Sequence, residues 1–107
     1  MKQITIIGNL GADADLVLEN NSYRLQIKVA VTEKYENSQG ATVEKTDWFM
    51  VFKNYKNEPK KLMHHLTKGA RVFVQGKPSF TLNTHNDKQY LNLSISCQIL
   101  QLLTFND

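Results

Sequence analysis

A single cysteine, Cys97, leaves the chain without any possible intrachain disulfide, and cysteine usage this sparse fits a reducing compartment. No apolar run approaches the roughly 18–20 residues that a membrane-spanning helix needs. The opening Met1-Lys2-Gln3-Ile4-Thr5-Ile6-Ile7 is interrupted by Gly8 and Asn9 too early to serve as a signal peptide. A cytoplasmic location is therefore expected. No repeat, low-complexity tract or linker divides the 107 residues, so one domain, 1–107, is expected. Charge of one sign is also in short supply: 13 Lys plus Arg against 10 Asp plus Glu leaves +3. That balance suits a polyanionic partner without requiring one.

Catalytic signatures are missing as well. No Ser-His-Asp or Cys-His pattern stands out, and Cys97 reads as a buried strand residue. His64 and His65 are neighbours on a helix and do not face one site; the remaining histidine is His85. Zinc usually needs three or four protein ligands. Asp13 and Asp15 read as solvated loop carboxylates. Nucleophile, base and oxyanion donors do not assemble, so no enzymatic activity, metal or cofactor is expected.

What the chain does have is 41% hydrophobic residues, arranged mostly with the period of two that marks strands. The first strand is predicted over Gln3 to Gly8, with a bulge or bend at Gly8, and Asp15 to Leu18 as a possible continuation. Glu19 to Ser22 reads as a turn. In the second strand Tyr23, Leu25, Ile27, Val29 and Val31 face one way, and Arg24, Gln26 and Lys28 the other. A polar loop follows from Thr32 to Thr42. The third strand, Val43 to Lys53, is apolar on both faces through Trp48, Phe49, Met50, Val51 and Phe52. A sheet with its core on one side should be polar on the other. Trp48, Met50 and Phe52 therefore need a second partner: another subunit, a covering loop or a ligand.

One helix is predicted over Asn57 to Thr67, with Asn57 as N-cap, Pro59 in the first turn and Gly69 as the stop. Arg71 to Leu82 is the fourth strand, and Asn83 to Lys88 a hairpin tip. In the last strand, ending near Leu103, Leu91, Leu93, Ile95, Cys97 and Ile99 share one face. Three strands, a helix and two strands give an all-β fold: a five-stranded Greek-key OB-fold barrel with one α-helix between strands three and four. An open α+β sheet is the competing architecture.

OB-folds bind single strands by stacking bases on aromatic rings in a basic groove. The candidate rings are Tyr35, Trp48, Phe52, Tyr55 and Phe80, with Tyr90 beside the second hairpin. The candidate phosphate partners are Lys28, Lys34, Lys45, Lys53, Lys56, Arg71, Lys77 and Lys88. Strand aromatics more often face a core or an interface, and Phe49, Phe73 and Phe80 carry that reading too. Single lysines are usually solvated; only their clustering is informative.

Four stretches extend the argument. They are Ile6-Ile7-Gly8-Asn9-Leu10-Gly11-Ala12-Asp13, Val31-Thr32-Glu33-Lys34-Tyr35, Thr46-Asp47-Trp48-Phe49, and Leu66-Thr67-Lys68-Gly69-Ala70-Arg71-Val72-Phe73-Val74-Gln75-Gly76. In this order, over nearly the whole chain, they resemble the bacterial single-stranded DNA-binding protein family. The resemblance implies a homo-oligomer, tetramer or dimer, that binds single-stranded DNA without sequence specificity. It implies protection of that DNA in replication, repair or recombination, in association with the nucleoid. Tyr35 and Trp48 match two stacking aromatics of the family. A third falls near Tyr55, or Asn54 in the other alignment. The fourth falls near Asn83, where Phe80 would have to substitute. Ala14 stands where the family usually has Pro. A protein-docking OB module, similar to a primosome component, is the alternative reading.

The family typically carries a flexible linker and a short acidic tip after the barrel. Here Thr104-Phe105-Asn106-Asp107 follow the last strand, and four residues reach at most ~14 Å. Recruitment of replication or repair enzymes through this terminus is not expected. Deleting Phe105 to Asp107 should leave DNA affinity and partner capture unchanged in a pull-down.

Overall fold

The computed structural model describes residues 1–103, with the backbone alone for 90–92. Its strands are β1 (Ile4–Leu10), β2 (Asp15–Glu19), β3 (Ser22–Glu36), β4 (Thr42–Tyr55), β5 (Arg71–His85) and β6 (Lys88–Leu102), with one helix, α1 (Lys60–His65), between β4 and β5. The sheet runs β1-β5-β6-β4-β3, and β1 returns to β3 through Asn9↔Ala30 and Leu10↔Val29. That last pairing closes a five-stranded barrel. β4 and β6 are parallel, and the other pairs are antiparallel. The expected OB-fold is the observed one, and the open sheet is not.

Alternation builds the core as expected. Leu25, Ile27 and Val29 of β3, Val51 of β4, Val72 and Val74 of β5 and Ile95 of β6 are all buried. Leu66, just after α1, is buried among them. Gly8 permits the closure. A Cβ there would collide with the Ala30 carbonyl oxygen and lie 2.8 Å from Val29 Cγ1. The bend predicted at Gly8 falls further on. β1 continues to Leu10, and Asp15–Glu19 is a separate strand on the edge of β3.

Three further boundaries differ from expectation. The helix starts at Lys60, not Asn57, and no side chain caps it. The ring of Pro59 disfavours helical geometry in the residue before it, so Asn57 cannot act as the N-cap. The polar stretch 32–42 is mostly strand. Lys34 and Glu44 pair across the ribbon at 3.4 Å, and the Thr32 and Thr46 hydroxyls hydrogen-bond at 2.9 Å. Polar residues hold a ribbon when their cross-strand partners complement them. Only the tip turns, where Asn37 Oδ1 accepts the Gln39 and Ala41 N–H groups. The second hairpin tip narrows to Asn86 and Asp87, with φ of 51° and 62°, a geometry repeated at Asn20 and Asn21. Both are two-residue turns with the left-handed conformations that hairpins favour.

β6 departs from its predicted alternation as well. Gln75 pairs with Ile99 but Gly76 with Cys97, so Gln98 is an extra, bulged residue. A bulge shifts every later side chain to the other face. Cys97 is buried, Ile99 is turned outward and 49% exposed, and Leu100 and Leu102 pack on the core instead.

Among the described residues no helix is long and apolar enough to cross a membrane. Phe105 and Asp107, on which the expectation for the C-terminus rests, lie outside the described residues, as does the side chain of Tyr90.

Leu66 is the one fully buried side chain supplied by the helical segment. Truncating a buried leucine typically costs about 2–5 kcal/mol. Leu66→Ala should lower the unfolding free energy by that amount in a urea titration.

Candidate nucleic-acid interface

The period of two divides β4 between two tasks. Phe49 and Val51 face the core, and Trp48, Met50 and Phe52 face outward. Their neighbours on β3 are set by the register Ala30↔Trp48, Lys28↔Met50 and Gln26↔Phe52. The parallel pairing of β4 with β6 brings Ser94 opposite Met50. The β5–β6 ribbon supplies the second wall. Together Lys28, Trp48, Met50, Phe52, Thr81, Asn83 and Ser94 line an open groove of about 600 Å³, with Phe49 and Leu93 in its lining. The Trp48 side chain is 50% exposed at this groove.

Two cations from the outward face of β3 lie over the two rings. Lys28 Nζ is 5.0 Å from the centroid of a Trp48 ring, and the Arg24 guanidinium carbon is 5.8 Å from that of Phe52. Both distances are within the range of cation–π attraction. Arg24 also bridges Glu19 at 3.2 Å. A planar apolar ring beside a cation offers the two contacts a nucleotide needs: a stacking face for the base and a positive charge for the phosphate.

The other predicted aromatics lie elsewhere. Tyr35, opposite Val43, is exposed but on the other face of the β3–β4 ribbon from Lys28 and Trp48. Phe80, 62% exposed, and Leu82 lie on the face of the β5 arm opposite to Thr81 and Asn83, where the arm outruns the barrel. Tyr55 has the inward parity of Val51 and packs against the core, with Lys53 Nζ 5.5 Å from its ring centroid. Burial pushes its phenol up from the ordinary value, with Cys97 adding to the shift.

The cations are dispersed. Lys34 is paired with Glu44, and Lys45 stands opposite Glu33. Lys53 donates to the Gln98 carbonyl at 2.9 Å, filling the acceptor that the bulge removes from the ladder. Lys56 is exposed just beyond β4, and Lys88 at the tip of the second arm. Lys77, opposite Ser96, shares a shallow depression with Met1, Lys2 and Pro78. Arg71 is opposite Asn9, at the far end of β5 from the arm. Of the thirteen predicted site residues, only Lys28, Trp48 and Phe52 meet in the groove.

Arg24, Thr81 and Ser94 were not among the predicted site residues. Arg24 was legible, because it shares the outward parity of Lys28. Thr81 and Ser94 carry no sequence signal; pairing between β5, β6 and β4 brings them to the groove. Cys97 is removed from this chemistry. Its Sγ donates to the Ile99 carbonyl at 3.1 Å. Burial pushes its thiol up, against a smaller opposing effect of Lys53 and of backbone hydrogen bonds to Gln75 and Ile99.

Comparison with known proteins fits this geometry. Residues 1–103 match the model of the single-strand binding protein family. The mitochondrial single-stranded DNA-binding protein of Drosophila melanogaster is 31% identical over 77 residues, which are 72% of this chain and 53% of that protein. The chain thus spans about half the length of the curated relative it matches. A Plasmodium falciparum SSB in complex with ssDNA superimposes with a TM-score of 0.76 at 25% identity, covering 97% of this chain and 96% of that one. The small single-stranded DNA-binding protein of Streptomyces coelicolor shares the fold, with a TM-score of 0.76 at 20% identity over 94% of this chain and 92% of that one.

Proposed function

Since the chain belongs to the single-strand binding protein family, we propose that it binds single-stranded DNA in the groove between β4 and the β5–β6 ribbon, without a catalytic step. The observation that carries this reading is the Trp48 indole, half exposed on an outward apolar stripe and flanked by a cation. Bases stack on Trp48 and Phe52, and the ammonium of Lys28 moves to a flanking phosphate. Stacking needs only a π-face, so it is indifferent to sequence. Exchange of counterions for lysines makes binding weaken with salt. Exposed Tyr35 and Phe80, on the other faces of the two arms, serve a strand that continues around the barrel. Lys34, Lys45, Lys56, Lys77 and Lys88 contribute along that path. Coating of this kind protects DNA during replication, repair or recombination, in the cytoplasm of a bacterial host.

Self-association belongs to the same reading. Residues Ile4 to Gly8 pair with β5 along one edge, whereas β1 meets β3 only at Asn9 and Leu10. An open strand edge is a template for a second chain. Beside it, Ile7 and Ile99 expose 44% and 49% of their surface on the outer face that also carries Phe73. A two-fold pairing of β1 with its mate would satisfy the edge, and packing of the apolar faces would extend a dimer to a tetramer.

Trp48 is the sole tryptophan, so its fluorescence reports the groove directly. Oligo-dT should quench it, and duplex DNA far less. Trp48→Ala should weaken oligo-dT binding by ~1–3 kcal/mol, the range for one stacked base. Unchanged affinity in a folded Trp48→Ala protein would contradict the reading, and absence of any salt-sensitive DNA binding would favour a protein-docking module. Sedimentation at micromolar concentration should give a dimer or tetramer; a monomer would contradict the proposed self-association.

A further inference from the structure

We infer that Gly11 is a positioning residue for Trp48: its missing side chain is the seat of the indole. The inference rests on the DNA-binding reading above for its functional consequence, but not for its geometry. Gly11 follows β1 directly, and its N–H donates to the Lys28 carbonyl at 2.9 Å. This bond pins the start of the β1–β2 bend to β3, beside the outward face on which Lys28 and Trp48 stand. A Cβ built on Gly11 would collide with Cζ3 of Trp48 and lie 2.7 Å from Cη2 and 3.6 Å from Cε3. The benzo ring of the indole thus occupies the space that any side chain at position 11 would need.

The nature of the obstacle distinguishes Gly11 from the other crowded glycines. At Gly8 a Cβ would meet the Ala30 carbonyl, and at Gly76 the Ser96 carbonyl and, at 2.9 Å, the Cys97 Cα. Those walls are backbone, so an added methyl group there has to distort the barrel. At Gly11 the three nearest atoms all belong to the half-exposed Trp48 side chain. A side chain at the surface yields by changing rotamer, at less cost than a displaced strand. Gly11 also lies outside the left-handed region, in which the glycines of positive φ are Gly40 and Gly69. Alanine can adopt its conformation, and loses less chain entropy than glycine on folding. A methyl group at position 11 therefore leaves the barrel in place and moves the indole, together with its alignment beneath Lys28.

The test compares Gly11→Ala with Trp48→Ala and the double variant. Gly11→Ala is expected to keep its thermal midpoint within a few degrees of the parent, whereas Gly8→Ala loses stability. In the free protein, Gly11→Ala should red-shift Trp48 emission and raise its quenching by acrylamide. Its affinity for oligo-dT should fall about tenfold, within the range that one stacked base supplies. Added to Trp48→Ala, the same substitution should change affinity by less than about twofold, because the two residues act as one unit. Parent-like emission and quenching in Gly11→Ala would overturn the inference. So would a collapse of its thermal midpoint, or an equal loss of affinity with and without the Trp48 ring. If Trp48→Ala itself bound oligo-dT normally, the DNA-binding reading would fail, while the emission and quenching of the free Gly11→Ala protein would still decide the seat.

Discussion

The close approach of β1 to β3 is the constraint on which the rest of the molecule depends. Two register pairs, Asn9↔Ala30 and Leu10↔Val29, turn an open sheet into a barrel. The approach requires a residue without a side chain at position 8, because the Ala30 carbonyl fills the place of a Cβ. Everything at that corner is then tied together by backbone hydrogen bonds. Gly69 donates to the Leu10 carbonyl at 2.8 Å, and Leu10 donates to Ala70 at 2.9 Å. Ala14 donates to Leu66, and Asp13 accepts the Lys68 N–H. Closure thus fixes the exit of the helix and carries the chain past the outward face of β4, where Gly11 meets Trp48.

The outward stripe on β4 shows how a barrel this small divides one strand between two surroundings. Alternate residues face the core and line the groove, so the groove assigned above to DNA draws mainly on side chains that the core does not use. The apolar outer residues are compensated locally. Trp48 and Phe52 lie under cations from β3. On the first arm Lys34 is paired with Glu44.

The bulge at Gln98 links several of the departures from simple alternation. It flips Ile99 outward onto the face of Ile7 and Phe73, and frees a carbonyl that Lys53 satisfies. Gly76 accommodates the tight backbone approach opposite it. One inserted residue thus engages a lysine otherwise available for phosphate and adds an apolar group to the outer face. Bulges commonly re-aim side chains in this way.

Local chemistry alone determined most of the strands, the presence of one helix after β4 (though it ends at His65, ahead of the expected Thr67 and the stop at Gly69), the core residues of β3 and β5, and the need of Trp48, Met50 and Phe52 for a partner. Each follows from period, turn residues or the two apolar faces of one strand, which neighbouring residues suffice to define. The same parity already separated Tyr35 and Tyr55 from the outward stripe, provided the strands were known to extend to Glu36 and Tyr55. That extension depends on cross-strand partners, such as Thr32 with Thr46, that are distant in the chain. Tertiary structure alone decided the groove, because its second wall comes from Thr81, Asn83 and Ser94 through the pairing of β5, β6 and β4. It also decided the bulge, which is a mismatch in length between two strands and belongs to neither. It decided the seat of Trp48 on Gly11 too, since residues 37 positions apart meet only after the barrel has closed.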